Sequence, residues 1–193
     1  MARIIQQSVL SRKDSDVRQV DQLGNGAGLH FDGSAGNVDI ASPPALGTKF
    51  SMEFVLKADK WNVYQNIIDI YAGSHTGGRL EFYSPAEGEL VLYQSSVPGN
   101  RSFDVSVLDD LKAHHLVVTV DGTSAILYDN GNQVGTTDIA ATALTGGGDL
   151  KLGSSYDGGG GHFNGTIYRA RLYNRTLSAP EVKSAFEGSN VDF

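Results

Sequence analysis

Runs of four to eight residues in which apolar and polar side chains alternate, each broken by a glycine-containing turn, fill the chain from residue 28 onward. Alternation with a period of two puts successive side chains on opposite faces of a strand, which suits a sheet buried on one side. Phe50 to Leu56 is the plainest case, with Phe50, Met52, Phe54 and Leu56 on one face. The pattern recurs at 29–31, 38–41, 66–71, 79–83, 89–93, 103–107, 114–120, 124–128, 133–137, 149–152 and 165–173. Asp121-Gly122 and Asn130-Gly131 supply tight turns, and no helical period separates the strands. The expectation is therefore an antiparallel two-sheet sandwich, all-β in class. The 24 glycines against 5 prolines in 193 residues fit many short strands and turns. Leu116, Val118, Val120, Met52, Phe54, Ala170 and Leu172 are expected between the sheets.

One helix is predicted, over 179–186. Ser178-Ala179-Pro180-Glu181 reads as a capping box, Leu177 and Val182 hold the staple positions, and Pro180 falls in the first turn, where a missing N–H does no harm. Gly188 is expected to end it.

Residues 1–26 read as a polar arm and hinge ahead of a sandwich over 27–193. The segment 1–21 lacks glycine and carries Arg3, Arg12, Lys13 and Arg18 against Asp14, Asp16 and Asp21, for a net charge of +1. Extended, twenty such residues reach on the order of 66 Å, enough to touch a partner or sister subunit. The competing arrangement makes Val17-Arg18-Gln19-Val20 an edge strand of the same domain.

Charge and composition exclude several classes. With 15 Lys and Arg against 22 Asp and Glu the net charge is −7, which leaves no basic excess for nucleic acid. The absence of cysteine removes disulfides, thiolate zinc sites and cysteine nucleophiles. No apolar stretch has signal-peptide character or approaches the ~20 residues of a membrane span. The chain is expected to be made in a cytoplasm, without membrane insertion, and, if it works outside a cell, to leave by a route such as lysis.

Ala113-His114-His115-Leu116-Val117-Val118-Thr119-Val120-Asp121-Gly122, followed by Leu127-Tyr128-Asp129-Asn130-Gly131-Asn132-Gln133-Val134-Gly135, resembles the "W-H-H-V-A-V-T-Y-D-G … L-Y-V-D-G-x-x-V-G" hairpin of laminin G-like domains in the concanavalin A-like lectin and glucanase superfamily. Leu29-His30-Phe31-Asp32-Gly33 resembles the family's opening strand. The stretch 163–178, from Phe163-Asn164-Gly165 to Arg175-Thr176-Leu177-Ser178, resembles its closing strand. The resemblance covers roughly residues 28–187 and implies a concanavalin A-like jelly roll used mainly to bind glycans or proteins. Two positions depart from the pattern: Ala113 stands where the family has tryptophan, and Tyr168-Arg169 replace an acidic pair.

Glucanase relatives need carboxylates clustered as E-x-D-x-x-E on one strand, and no such cluster occurs here. Glu81, Glu87 and Glu89 flank a Pro85-Ala86 turn and read as solvated. His114 and His115 point to opposite faces of a strand, so they do not share a metal ion. His114 reads as a hydrogen-bonded structural residue. Arg169 and Arg171 share a face and read as solvated or paired.

The stretch 155–163, Ser155-Tyr156-Asp157 through four glycines to His162-Phe163, comes within one residue of an aspartate-box turn. Tyr156, Asp157 and His162 offer a stacking ring, an acceptor and a polar ring suited to a sugar. Trp61 and Tyr64 are the other aromatic candidates, with packing over the sandwich edge as their plainer role. A calcium ion, the one cofactor this chain would take, would bridge Asp32 or Asp157 to a ligand, as oxygen donors on turns can. The preferred expectation is a non-catalytic binding and assembly module. It would be a phage virion protein, such as a capsid decoration or tail-associated component, that docks through its arm and displays a lectin-like sandwich to surface glycans. A free-standing carbohydrate-binding lectin is the alternative, and a degenerate glycoside hydrolase the third reading.

Overall fold

The structure is a computed structural model, and it describes residues 17–20, 28–41, 45–61, 64–71, 79–85, 89–95, 101–104, 110–144, 149–156 and 161–189. In chain order its strands are β1 (Val17–Val20), β2 (Leu29–Asp32), β3 (Val38–Ala41), β4 (Phe50–Ala58), β5 (Gln65–Tyr71), β6 (Arg79–Ser84) and β7 (Glu89–Gln94). They continue with β8 (Arg101–Asp104), β9 (Ala113–Val120), β10 (Ser124–Asp129), β11 (Asn132–Asp138), β12 (Asp149–Leu152) and β13 (Asn164–Tyr173), and the helix α1 (Ala179–Glu187) follows. One antiparallel sheet runs β1-β13-β4-β9-β10-β11, with β2 also on β13, and the other runs β3-β12-β5-β6-β7-β8. This is the two-sheet sandwich that the alternation predicts and the jelly roll that the family resemblance implies. No helix among the described residues is long and apolar enough to cross a membrane.

The inward rows of both sheets meet in one core. All seven residues expected there are buried in it. Phe54 of β4 stacks on Phe82 of β6 across the gap, with ring centroids 5.9 Å apart and planes 15° off parallel. The β10–β11 hairpin closes on Asn130 and Gly131 with φ of 49° and 77°. Two consecutive positive φ values make a type I′ turn, whose twist matches the strands it joins.

Helix α1 begins as predicted. The Glu181 carboxylate accepts from the Ser178 N–H and hydroxyl, both at 2.8 Å. Leu177 and Val182 pack with Val117 and Tyr128, so the helix covers the outer side of β9 and β10. It extends one residue past the expected end, to Glu187. The strand expected at 103–107 is instead found at Arg101–Asp104, and 105–107 lie outside the described residues.

Residues 17–20 of the N-terminal segment have a place within the sandwich. Val17–Val20 pairs with Tyr173–Ala170, and β2 pairs with the other half of β13 at Ile167–Asn164. The two short strands thus run end to end along one edge. Arg18 belongs to this strand, whereas Arg3, Arg12 and Lys13 lie outside the described residues.

Two outcomes check this architecture. Val118→Asp places a carboxylate with no partner among Met52, Leu127 and the other core residues, which removes most of the ~5–15 kcal/mol that holds a domain of this size. Circular dichroism of this variant should show no cooperative melt. Deleting residues 1–20 uncovers half of one β13 edge, and the sandwich should still fold but lose about 1–3 kcal/mol in urea unfolding. An unchanged midpoint would show that the segment adds nothing to the sheet.

Candidate functional site

Tyr71, Tyr83 and Tyr93 stand on the outward side of the six-stranded sheet, because their inward neighbours Ile70, Leu80, Phe82 and Leu92 fill the core. The same face carries charge. Asp69 of β5 lies opposite Glu81 of β6, and Arg79 joins them. Its guanidinium donates to both oxygens of Asp69, with contacts between 2.7 and 3.2 Å, and to Glu81 at 2.6 Å. Asp69 also accepts the Tyr156 N–H at 2.7 Å, which draws the loop after β12 over the sheet. There Tyr156 stacks on Tyr71 at 3.8 Å, and the Arg79 guanidinium lies 4.8 Å from its ring centre.

At the neighbouring end of this face the geometry opens. Tyr64 has φ of 58° and is 62% exposed, and its ring lies parallel to that of Tyr83 with centroids 6.3 Å apart. Asn66 is in register with Tyr83, and a bulge follows it. The Asn66 N–H donates to the Gly161 carbonyl at 2.8 Å, which brings His162 alongside β5. Gly161 has φ of 67°, and a Cβ there would fall 2.2 Å from Asn66 Nδ2, so a side chain would push the loop off the strand. Asn66 Oδ1 and His162 Nδ1 are both buried and have no hydrogen-bond partner among the described residues. Buried polar atoms are ordinarily satisfied, so two orphans beside the exposed Tyr64 ring, which lies over a buried Tyr83, mark a place for a polar ligand.

The sequence-derived candidates divide accordingly. Tyr64 is exposed as a platform requires, and His162 is half-buried beside it. Tyr156 has one face taken by Tyr71, so it serves as floor and not as an open platform. Trp61 is corrected to a core residue, since it is 8% exposed and meets Phe163 edge-on at 6.2 Å. Asp157 lies outside the described residues. Asp32 closes a turn: its carboxylate accepts N–H groups from Ser34 at 2.8 Å and Ala35 at 3.0 Å, which hold its pKa at about 2. Among the described residues no three His, Asp or Glu side chains gather as a metal site. Glu81, expected to be solvated, is buried against Arg79. Glu87 is outside the described residues.

Tyr71, Tyr83, Asn66, Asp69 and Arg79 were not singled out from the sequence. A signal for the aromatics was present: the strands at 66–71, 79–83 and 89–93 each end in tyrosine.

The profile of the concanavalin A-like lectin/glucanases superfamily matches residues 32–183. The chain belongs to the concanavalin A-like lectin/glucanase superfamily. Solved structures share the sandwich at low identity. A heptameric SAP-like pentraxin from Limulus polyphemus superposes with a TM-score of 0.63 at 15% identity, covering 81% of this chain and 80% of that one. Domain 4 of an extracellular GH43 arabinanase from Geobacillus stearothermophilus, in complex with arabinotriose, gives 0.63 at 17% identity over 87% and 80%. The CBM40 of a Ruminococcus gnavus IT-sialidase, bound to α2,3-sialyllactose, gives 0.59 at 15% identity over 79% and 97%. No curated protein sequence matches.

On the opposite side of this lectin-like sandwich the polar residues serve structure. Glu53 of β4 is fully buried and accepts from His115 at 3.3 Å, Arg169 at 3.4 Å, Arg171 at 3.3 Å and the Tyr173 hydroxyl. Burial alone would raise its pKa, but the His115 hydrogen bond, the Arg171 charge and the Tyr173 hydroxyl outweigh it and hold the carboxyl at about 2. Arg169 also donates to the Ser189 carbonyl at 3.2 Å, which ties down the chain after α1. The two arginines are therefore paired, and His115 faces away from the core, as the alternation requires.

His114 faces inward and lies between two carboxylates, with Nδ1 2.8 Å from Asp129 and Nε2 3.0 Å from Asp110. Both carboxylates are satisfied at once when both ring nitrogens donate, an arrangement that favours the protonated ring. Burial opposes that charge, and the hydrogen bonds to Asp129 and Asp110 outweigh it, so the pKa is raised above 6.5. The stabilisation is fully present below the unfolded-state value and fades as pH rises through the raised one. Urea midpoints compared between the native chain and His114→Gln should differ most near pH 5.5 and converge toward pH 9. A constant difference would mean that His114 is neutral throughout.

Proposed function

We propose that this chain is a non-catalytic carbohydrate-binding module and that it takes glycan at the Tyr64 end of the outward face of its six-stranded sheet. The observation that carries this reading is the exposed Tyr64 ring, stacked on Tyr83 beside the unpartnered Asn66 Oδ1 and His162 Nδ1. A pyranose needs an apolar face for its C–H groups and a few fixed polar atoms for its hydroxyls, and this corner offers both. Relatives of the same fold solved with arabinotriose and sialyllactose support it. The absence of chemistry is part of the proposal. Asp69 and Glu81, the paired carboxylates of this face, are both engaged by Arg79, an arrangement that suits a fixed floor better than a general acid and nucleophile.

Display on a virion through the N-terminal segment is a finer reading. It now rests on residues 1–16, because 17–20 are edge-paired to β13. Incorporation that persists after deletion of residues 1–16 would end it without touching the glycan site.

Tyr64→Ala tests the site directly. The ring is mostly exposed, so the melting temperature should stay within about 2 °C. Affinity for the best ligand on a glycan array should fall about tenfold, the loss expected when one stacking platform is removed. Binding that is unchanged in this variant would place the site elsewhere, and reducing ends released from a bound glycan would make the module an enzyme.

A further inference from the structure

We infer, on the reading that the Tyr64 corner binds glycan, that Gln65 is its positioning residue: without meeting the ligand, it holds Tyr64 and His162 in the arrangement that receives it. Gln65 opens β5 between Tyr64 and Asn66, and at 1% exposed its side chain has no access to a ligand. It pairs with Ser84, which shares the inward phase of Leu80 and Phe82, so the amide points between the sheets. Both polar atoms of that amide are engaged. Nε2 donates to the Lys60 carbonyl at 2.7 Å, and Oε1 accepts the Asn164 N–H at 3.0 Å. The first bond fastens the chain ahead of Tyr64 to the residue that follows it. The second reaches the opposite sheet, because Asn164 begins β13. The Asn164 carbonyl in turn accepts the Asp59 N–H at 3.0 Å.

These bonds bracket both rim residues. His162 lies between Gly161, whose carbonyl takes the Asn66 N–H, and Asn164, whose N–H goes to Gln65. Consecutive residues of β5 therefore hold the chain on either side of it. Tyr64 has φ of 58°, a region that an aromatic L-residue keeps only where its surroundings enforce it. With Lys60 joined to Gln65, the segment that carries Tyr64 is fixed at both ends, and its ring stays over Tyr83. The amide has one orientation only, since a flip would set Oε1 against the Lys60 carbonyl. A platform fixed before the ligand arrives loses less freedom on binding, so the latch acts on affinity without touching sugar.

The test is a double-mutant cycle in the full chain, with Gln65→Met and Tyr64→Ala made singly and together and affinity measured for the best ligand of a glycan array. Methionine nearly keeps the volume and removes both hydrogen bonds. Gln65→Met should weaken binding about tenfold in the native chain and less than about threefold in the Tyr64→Ala background, where the platform it holds is already gone. A general loss of stability would weaken both backgrounds alike. Should Gln65→Met show no cooperative melt, Gln65→Glu takes its place in the cycle, since its carboxylate still accepts from Asn164 but no longer donates to Lys60. Unchanged affinity, or the same loss in both backgrounds, overturns the positioning role and leaves glycan binding standing. Silence of the native chain on every glycan overturns glycan binding itself, and the role of Gln65 with it.

Discussion

Burial of β4 and β9 on both faces is the constraint around which this sandwich is arranged. A strand at the surface of a two-sheet sandwich has one dry face and one wet one, yet every residue of β9 is buried and all but one of β4. Their inward rows meet the other sheet. Their outward rows lie beneath α1 and the chain that follows it, with Val182 on Val117 and Ser189 bonded to Arg169. Placing Glu53 in that covered layer is tolerable only because four donors converge on its carboxylate, from β9 and β13 on either side of β4. Helix α1 and the pairing of β13 to β4 act together, since Phe186 of α1 lies 5.9 Å from the His115 ring and β13 carries Arg169, Arg171 and Tyr173.

The inward half of this architecture is readable in the sequence because alternation reports it directly. Phe50, Met52, Phe54 and Leu56 repeat with the period of the pleat, and no other secondary structure gives that row a common destination. The type I′ turn at Asn130-Gly131 and the start of α1 are equally local, decided by residues within four positions of one another. The outward half is different. Glu53, Arg169 and Glu81 occupy the polar phase of their strands, and polar phase reads as solvent. Whether water reaches Glu53 depends on a helix more than a hundred residues on in the chain, and whether it reaches Glu81 on an arginine two positions along the strand, and periodicity carries neither fact.

The candidate site shows the same division within a few residues. Tyr64 and His162 lie in connecting segments of unusual composition, so sequence alone draws attention to them. Their distance from each other in the chain hides that they share a corner. What joins them is a backbone bond from Asn66 to Gly161, made possible by a left-handed glycine. Trp61 shows the converse. An aromatic beside a strand end suggests a platform, but the ring of Phe163, a hundred residues on, gives it an interior partner and removes it from solvent.

Both outward faces pair arginine with buried carboxylate, and the difference in what covers them separates structure from recognition. Over Glu53 the helix excludes water and any ligand, so the pairing there can only join strands. Among the described residues no helix lies over Asp69 and Glu81, and Tyr156 leans across from a loop. The same chemistry, left partly open, becomes a rigid floor whose charges are already satisfied internally. A floor of that kind offers a ligand little beyond shape and the few atoms it leaves unpaired. Specificity then falls to the rim, where Tyr64 supplies a surface and Asn66 and His162 supply the unmet hydrogen bonds.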